Sequence, residues 1–310
     1  MAWDHTPCGI EIPQVFVDGR VDMEHIRKFV TEAETLGYDS LWLQERIISD
    51  FAMLEPVSLL NYVAAITTKL SLGVSVVLLT LRNPIQLAKS VSTLDCMSRG
   101  RAILGIGLGG GHLGSHEDIF GYSREKRVTR FTEAVRIMKL LWTEPKASFH
   151  GSFWSFTEIS MEPKPVQKPH PAVWFGGHHE LALRRAVKHG SGWMGAGSSS
   201  SSAFIRESAT IRRFLEEANV DPARFGIAKR VYLAVDNEKS RAERRLREWF
   251  AIRYKNADLG SRVSIWGSRE ECSEKIRELI RAGAKRIVFN PVFDEMEHLE
   301  ICAKEIMPHL

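Results

Sequence analysis

Charged and imidazole side chains follow two apolar runs of this sequence. Glu45 and Arg46 come soon after Leu41-Trp42-Leu43, and His112 comes directly after the glycine-rich stretch 105–111. A carboxylate or an imidazole can transfer a proton, whereas an arginine stays charged and can orient an anion or stabilise a developing negative charge. We take Glu45, Arg46 and His112 as candidate catalytic residues. The alternative for Glu45 and Arg46 is a rim ion pair, which contributes little to stability.

Metal chemistry receives little support from the sequence. His112 and His116 are four residues apart, but they stand in a glycine-rich loop rather than on a firm helix. The cysteines are scattered and form no C-x-x-C pair: Cys8, Cys96, Cys272 and Cys302. We therefore predict no metal site and no disulfide framework, but four reduced and mostly buried thiols.

Two glycine-containing stretches suggest a ligand that approaches the backbone. The stretch 105–111 is reminiscent of a dinucleotide fingerprint, but that motif needs a helix opening at the glycines, and the next helix is predicted near Arg124. Glycines here would instead let the backbone approach a flat ring closely. Gly176 and Gly177 precede a helix that opens at 178–180, and backbone N–H groups at a helix N-terminus favour an anion such as phosphate. An ordinary strand-to-helix turn is the alternative at this second stretch.

A repeating unit must position these residues: an amphipathic helix, a glycine and a short apolar strand. Asp22 is a predicted N-cap of the first helix, Gly37 its predicted end, and 268–271 has the form of a capping box. The unit predicts strands that start near Gly9, Asp39, Leu72, Arg101, Ala172, Gly192, Gly226 and Arg286. Eight strands alternating with helices favour an α/β fold of the (β/α)8 TIM-barrel type, with an open doubly wound sheet as the alternative. In such a barrel the chemistry lies at the C-terminal ends of the strands.

Two segments are predicted as insertions, after the fourth and sixth strands, in a single barrel domain over 1–310. Residues 144–171 contain an aromatic hairpin pattern followed by several prolines, which predicts a hairpin and an extended return. Gly197 and the serines 198–202 predict a flexible loop, interpreted as a solvated linker in preference to a phosphate site. We expect the first insertion and the loop 111–123 to close over a substrate.

Composition excludes several classes of function. Hydrophobic residues make up 44% and charged residues 26% of the 310 positions, which is typical of a globular protein. The net charge of +4 is mild and both signs are interspersed, so we expect no nucleic-acid partner and favour an anionic small molecule. An apolar run of 18 residues and a signal-peptide pattern are both absent from the sequence, which predicts a cytoplasmic protein with no membrane contact.

A series of short stretches resembles the luciferase-like monooxygenase superfamily, particularly its branch that uses the deazaflavin coenzyme F420. The stretches keep their order across nearly the whole chain: Gly37-Tyr38-Asp39-Ser40-Leu41-Trp42, Leu81-Arg82-Asn83-Pro84, Leu94-Asp95, Ser98-Arg99-Gly100-Arg101, Leu104-Gly105-Ile106-Gly107, Pro163-Lys164-Pro165-Val166-Gln167-Lys168-Pro169, Phe175-Gly176-Gly177 and Gly190-Ser191-Gly192-Trp193. Each stretch alone is weakly specific, whereas the series is strongly specific.

The resemblance implies a barrel that holds a flavin or deazaflavin at its C-terminal mouth, and a homodimer. It implies a bulge with a non-proline cis peptide bond at Ser75-Val76, pressed against the central ring of the coenzyme. The remaining cofactor-binding residues that it implies are Gly107, Leu108 and Gly109 at the ring system, Gly176 and Gly177 with His178 at the phosphate, and Trp193 close by.

Departures from the family pattern bear on the reaction. Family members often have a histidine at the position of Arg46, after an acid matched by Glu45. Some sugar-phosphate dehydrogenases of the branch place a glutamate where Gly110 stands. The resemblance therefore argues against sugar-phosphate oxidation, and it leaves Glu45 as the acid–base candidate, with His112 and Glu117 in reserve.

From the resemblance we predict an F420-dependent oxidoreductase that transfers a hydride between the deazaflavin and a small organic substrate. One alternative is an FMN-dependent monooxygenase that uses reduced flavin and oxygen in the same cleft. Another is a flavin-binding protein that keeps the fold without catalysis. An NAD dehydrogenase with a Rossmann sheet is disfavoured, because no helix is predicted to open at the glycines.

Overall fold

Eight parallel strands form a closed sheet in the computed structural model, which describes residues 6–109, 118–121 and 125–310. The described residues contain thirteen strands, in chain order β1 (Cys8–Glu11), β2 (Val15–Phe16), β3 (Ser40–Leu43), β4 (Ala52–Met53), β5 (Ser71–Leu78), β6 (Ala102–Gly107), β7 (Ala147–His150), β8 (Ser155–Ile159), β9 (Ala172–Gly176), β10 (Gly192–Gly195), β11 (Gly226–Val235), β12 (Ile265–Gly267) and β13 (Arg286–Pro291). Of these, β1, β3, β5, β6, β9, β10, β11 and β13 form the barrel. The helices are α1 (Met23–Thr35), α2 (Pro56–Ile66), α3 (Pro84–Met97), α4 (Arg127–Thr143), α5 (Glu180–His189), α6 (Ser201–Glu217), α7 (Lys239–Tyr254), α8 (Leu259–Val263), α9 (Arg269–Arg281) and α10 (Glu295–Ile301).

The barrel closes because the two strands at the ends of its strand order, β10 and β11, pair with each other. The strand order is β10-β9-β6-β5-β3-β1-β13-β11, and β10 also pairs with β11, with Gly192 opposite Gly226. Each of the eight predicted strand starts lies within one residue of the first residue of a barrel strand. The predicted (β/α)8 barrel is therefore confirmed, and the closed sheet excludes the open doubly wound alternative. Among the described helices, none combines the length and apolar character needed to cross a membrane.

Large aromatic side chains fill the inside of the barrel, and glycines on neighbouring strands leave space for them. Trp42 and Trp174 lie with ring centroids 5.5 Å apart and pack with Met194, Ala228 and Val288. A Cβ atom on Gly73 would lie 2.4 Å from the Trp42 ring, so this glycine on the neighbouring strand provides the space for the indole. The bulge of β5 lies further along, between Val74 and Val77.

The helix boundaries follow local capping rules. The carboxylate of Asp22 accepts from the N–H of His25, and Gly37 adopts a φ of +83° after α1. Ser268 and Glu271 form the predicted capping box at α9. The α-helix after β6 begins at Arg127, three residues beyond the predicted start.

The serine run differs from the predicted flexible insertion after the sixth strand. Ser200 caps α6 by accepting from Ala203, and the next two serines form its first turn. The turn before α6 is held by the buried Lys229, whose ammonium donates to the carbonyl of Ser199 at 2.7 Å. Serine is a preferred N-cap, so a run of serines can begin a helix. The additional elements instead follow β11, where α7, α8 and β12 precede α9.

The insertion at 144–171 forms the predicted hairpin, β7 and β8, and none of its residues lines the two cavities of the barrel mouth described below. Its tip packs on α4, where the Glu133 carboxylate accepts from the N–H groups of Ser152 and Phe153. Its return leg passes the opposite end of the barrel, where Gln167 donates to the carbonyl of Ala102 at the start of β6. The expected closure of this insertion over a substrate stays a prediction, as does that of the loop 111–123, most of which lies outside the described residues.

Gly73→Ala tests the fit between strand and indole. The added methyl would overlap the Trp42 ring, so we expect the free energy of unfolding to fall by about 1–3 kcal/mol. Ser71→Ala, on the same strand and half-buried, serves as control and should change it little. Urea unfolding followed by tryptophan fluorescence measures both, and equal stability of Gly73→Ala and wild type would contradict this packing account.

Candidate active site

A cavity of about 620 Å³, here called the glycine cavity, lies at the C-terminal ends of the barrel strands. All the predicted cofactor residues except Trp193 line it: Ser75, Val76, Gly107, Leu108, Gly109, Gly176, Gly177 and His178. The sequence-based set is thus brought together in space, and its role in binding stays a prediction. A volume in this range suits a small-molecule or cofactor site.

The bulge of β5 forms one wall of the glycine cavity. The peptide bond between Ser75 and Val76 is cis, at the position implied by the family resemblance. A Cβ atom on Gly107 would lie 2.7 Å from Val76 Cγ2, and one on Gly176 would lie 3.2 Å from Val76 Cγ1. These glycines therefore accommodate the Val76 side chain, in addition to any approach of their backbone to a flat ring.

A buried polar cluster holds this wall from inside the barrel. Arg230 donates through Nη1 to the carbonyl oxygen of Ser75 at 2.8 Å. The carboxylate of Glu11 accepts from Ser75 Oγ at 3.1 Å and from Asn290 Nδ2 at 2.7 Å, and lies 3.3 Å from Arg230 Nη1. Glu11, Arg230 and Asn290 were not among the site residues predicted from the sequence. The available signal was a charged or amide residue inside an apolar strand, where burial is expensive without a partner.

The far end of the glycine cavity carries positive charge. Its lining there consists of Arg127 at the start of α4, Arg185 within α5, and His178 and His179 just before α5. Burial, and then the neighbouring His179, lowers the pKa of His178. Gly177 has a φ of +126°, and a Cβ there would lie 2.9 Å from that of Ala182, so only glycine fits this turn. The arrangement can hold an anionic group at a helix N-terminus.

Trp193 lies behind this wall and does not line the cavity. Its indole is buried, donates to the carbonyl of Gly177 at 2.8 Å and stacks on Phe204 at 5.4 Å. The structure thus gives Trp193 a supporting position for the turn at Gly177.

A second cavity of about 440 Å³, here called the arginine cavity, adjoins the first. The two share Ser75, Val76, Leu78 and Arg230 as a common wall. The other lining residues are Gln44, Glu45, Arg46, Ile48, Ser49, Asp50, Arg253, Tyr254 and Lys255. The structure therefore places the catalytic candidates Glu45 and Arg46 beside the bulge. The third candidate, His112, and the reserve Glu117 lie outside the described residues.

Glu45 is firmly held at this wall. Its carboxylate accepts from the N–H of Leu78 at 2.6 Å and from Arg82 Nε at 2.7 Å, and Arg82 also contacts Glu55 at 2.6 Å. Burial raises the pKa of Glu45, and attraction to Arg82 opposes that effect. Glu45 therefore anchors the end of β5. Its part in proton transfer stays a prediction.

The sequence of this chain matches one family model and several curated proteins. A family model described as luciferase-like monooxygenase matches residues 9–286. An F420-dependent glucose-6-phosphate dehydrogenase of Kineococcus radiotolerans is 35% identical over 147 residues, which are 45% of this chain and 43% of the relative. An FMNH(2)-dependent dimethylsulfone monooxygenase of Pseudomonas putida is 28% identical over 172 residues, 54% of this chain and 47% of the relative. The matches thus span less than half the length of these two relatives.

Solved structures resemble the whole chain in fold. An F420-dependent secondary alcohol dehydrogenase in complex with an F420-acetone adduct has a TM-score of 0.83 at 18% identity, covering 98% of this chain and 99% of that one. An FMN complex of the oxygenating constituent of 3,6-diketocamphane monooxygenase, from Pseudomonas putida, has a TM-score of 0.78 at 18% identity, covering 98% of each chain. Both cofactor types therefore occur on this fold.

Arg82→Met tests the anchor at Glu45. Removal of the cation raises the pKa of the buried carboxyl further, so the folded state binds its proton more tightly than the unfolded state does. The free energy of unfolding then falls as pH rises between the two pKa values, and we expect a loss of about 3 kcal/mol near pH 8 and a smaller loss near pH 5.

Urea unfolding at both pH values measures this difference. Arg27→Met is the matched control, because its pairing with Glu24 is exposed and should matter little at either pH. An Arg82→Met loss that is the same at both pH values would show that Glu45 is not the group affected.

Proposed function

Because the chain belongs to the luciferase-like monooxygenase family, we propose that it is an F420-dependent oxidoreductase acting on a small organic substrate. Family relatives are oxidoreductases that use a deazaflavin or a flavin, as the two matched enzymes illustrate. The observation that carries the proposal is the glycine cavity, whose wall is the cis Ser75-Val76 bulge and whose far end is cationic.

The residues of the glycine cavity fit a ligand with a flat ring and an anionic tail. Val76, Leu108, Phe175 and Met194 supply apolar surface, and the cationic groups belong to α4 and α5. The Nε of Arg230 is buried without a hydrogen-bond partner among the described residues, and its guanidinium faces the cavity at the bulge. An unpaired buried donor at this place suits a polar edge of a bound ring.

A bound deazaflavin would supply the carbon that gives or accepts the hydride. Arg127 and Arg185 would hold its phosphate with the N–H groups at the start of α5. Glu11 and Arg230 would fix the Ser75 carbonyl, so that Val76 keeps its place against the ring. Arg46 would orient the substrate, and Glu45 or His112 would move the proton that accompanies hydride transfer.

FMN is the competing cofactor, because an FMNH(2)-dependent monooxygenase is among the sequence relatives. Side-by-side titrations of the purified protein with F420 and with FMN decide between them, with fluorescence as the readout for both. We expect saturable F420 binding and weaker FMN binding. Preference for FMN would replace the hydride-transfer proposal with an oxygen-using reaction, and binding without turnover on any substrate would indicate a non-catalytic protein.

Arg185→Gln tests the placement of the cofactor phosphate. Loss of one charged contact should weaken F420 binding about tenfold or more. Arg184→Gln is the matched control, since Arg184 is an exposed neighbour that pairs with Glu180 and Glu217 and does not line the cavity. Equal F420 affinity in the two variants would remove the glycine cavity as the phosphate site.

A further inference from the structure

Two guanidinium groups of the arginine cavity lack an acidic partner among the described residues. The four other charged residues of its lining are matched: Arg230 lies 3.3 Å from Glu11, Lys255 and Asp50 lie 3.2 Å apart, and Glu45 is bound by Arg82. Arg46 and Arg253 form no ion pair with any carboxylate in the described ranges. The cavity therefore carries two unmatched positive charges.

Arg253 is the more unusual of the two, because its side chain is buried. The residue is 5% exposed, and its Nη2 lies 3.4 Å from Gln44 Oε1, a long contact. Its Nε has no hydrogen-bond partner in the described structure. Burying an unpaired charge is expensive, so a group that satisfies this guanidinium in the working protein is expected.

The fold brings Arg46 and Arg253 together from distant parts of the chain. Arg46 Nη1 donates to the carbonyl of Arg253 at 3.1 Å, and both guanidinium carbons lie 5.5 Å from the centroid of the Phe51 ring. Burial, and then repulsion from Arg253, lowers the pKa of Arg46. An anion between these side chains would relieve both effects. Tyr254 also lines the cavity and brings a hydroxyl.

We propose that the arginine cavity binds an oxyanionic group, a carboxylate or a phosphate, through Arg46 and Arg253. Guanidinium groups bind both oxyanions in bidentate fashion, and a cavity of about 440 Å³ accepts a small molecule. The shared wall at Ser75 and Val76 places this group next to the glycine cavity. The anion site is proposed from the geometry of this cavity alone. The further statement that its ligand is the substrate rests on the proposed function.

The arginine cavity is separate from the cationic end of the glycine cavity. Arg127 and Arg185 line only the glycine cavity, whereas Arg46 and Arg253 line only the arginine cavity of these two. Anionic groups would thus lie on both sides of the bulge. One would belong to the cofactor and the other to the molecule that reacts with it.

Calorimetric titration of the cofactor-free protein with inorganic phosphate and with acetate tests the anion site. We expect saturable binding of at least one anion, weakened about tenfold or more in Arg46→Gln and in Arg253→Gln. Arg244→Gln on the exposed face of the same helix is the matched control and should bind as wild type does. Arg253→Lys, which keeps the charge, should retain part of the affinity, and thermal melting checks that each variant is folded.

Arg185→Gln shows which cavity holds the anion. Binding that is lost in Arg185→Gln and kept in Arg46→Gln and Arg253→Gln would assign the anion to the glycine cavity and overturn the proposal. Absence of saturable binding of both anions by wild type would also overturn it. The F420 titration of wild type tests the proposed function independently. Anion binding without F420 binding would support the anion site and overturn the proposed function. F420 binding without anion binding would support the proposed function and overturn the anion site.

Discussion

The buried carboxylate of Glu11 sets the geometry of the barrel mouth. It accepts hydrogen bonds from Gln44, Ser75 and Asn290 and lies against Arg230, and these residues belong to or directly follow different barrel strands. A charge buried this deeply is tolerated only when its oxygens are satisfied by well-placed donors. Its burial therefore couples the register of several strands to the position of the Ser75 side chain. The same contacts connect the bulge at Ser75 to β1, β11 and β13.

Val76 gains its position from this constraint and from the glycines opposite. With the Ser75 carbonyl fixed by Arg230, the Val76 side chain fills the space left by Gly107 and Gly176. The bulge thereby separates the mouth into two cavities with different surroundings. One has apolar surface and a cationic far end, and the other has two unmatched guanidinium groups. Such a division suits a cofactor and a second molecule that meet at one wall.

Local patterns in the sequence predicted most of the fold. The apolar runs, the N-cap at Asp22 and the capping box at Ser268 act over a few residues, so they can be read without knowing the rest of the chain. The family resemblance added the cis bond at Ser75-Val76 and most of the residues that line the glycine cavity. The insertion at 144–171 was likewise predicted as a hairpin from its local pattern.

The sequence by itself determined the eight strands and their order along the chain, and most of the cofactor residues that it predicted line the glycine cavity. Only the tertiary structure decided that Glu45 is held by Arg82, that Trp193 supports Gly177, and that Arg253 joins Arg46 in one cavity. Helical and strand periodicity is a property of neighbouring residues, so it is visible in the sequence. Contacts such as that between Arg46 and Arg253, 207 positions apart, exist only after the strands have paired in register and the barrel has closed.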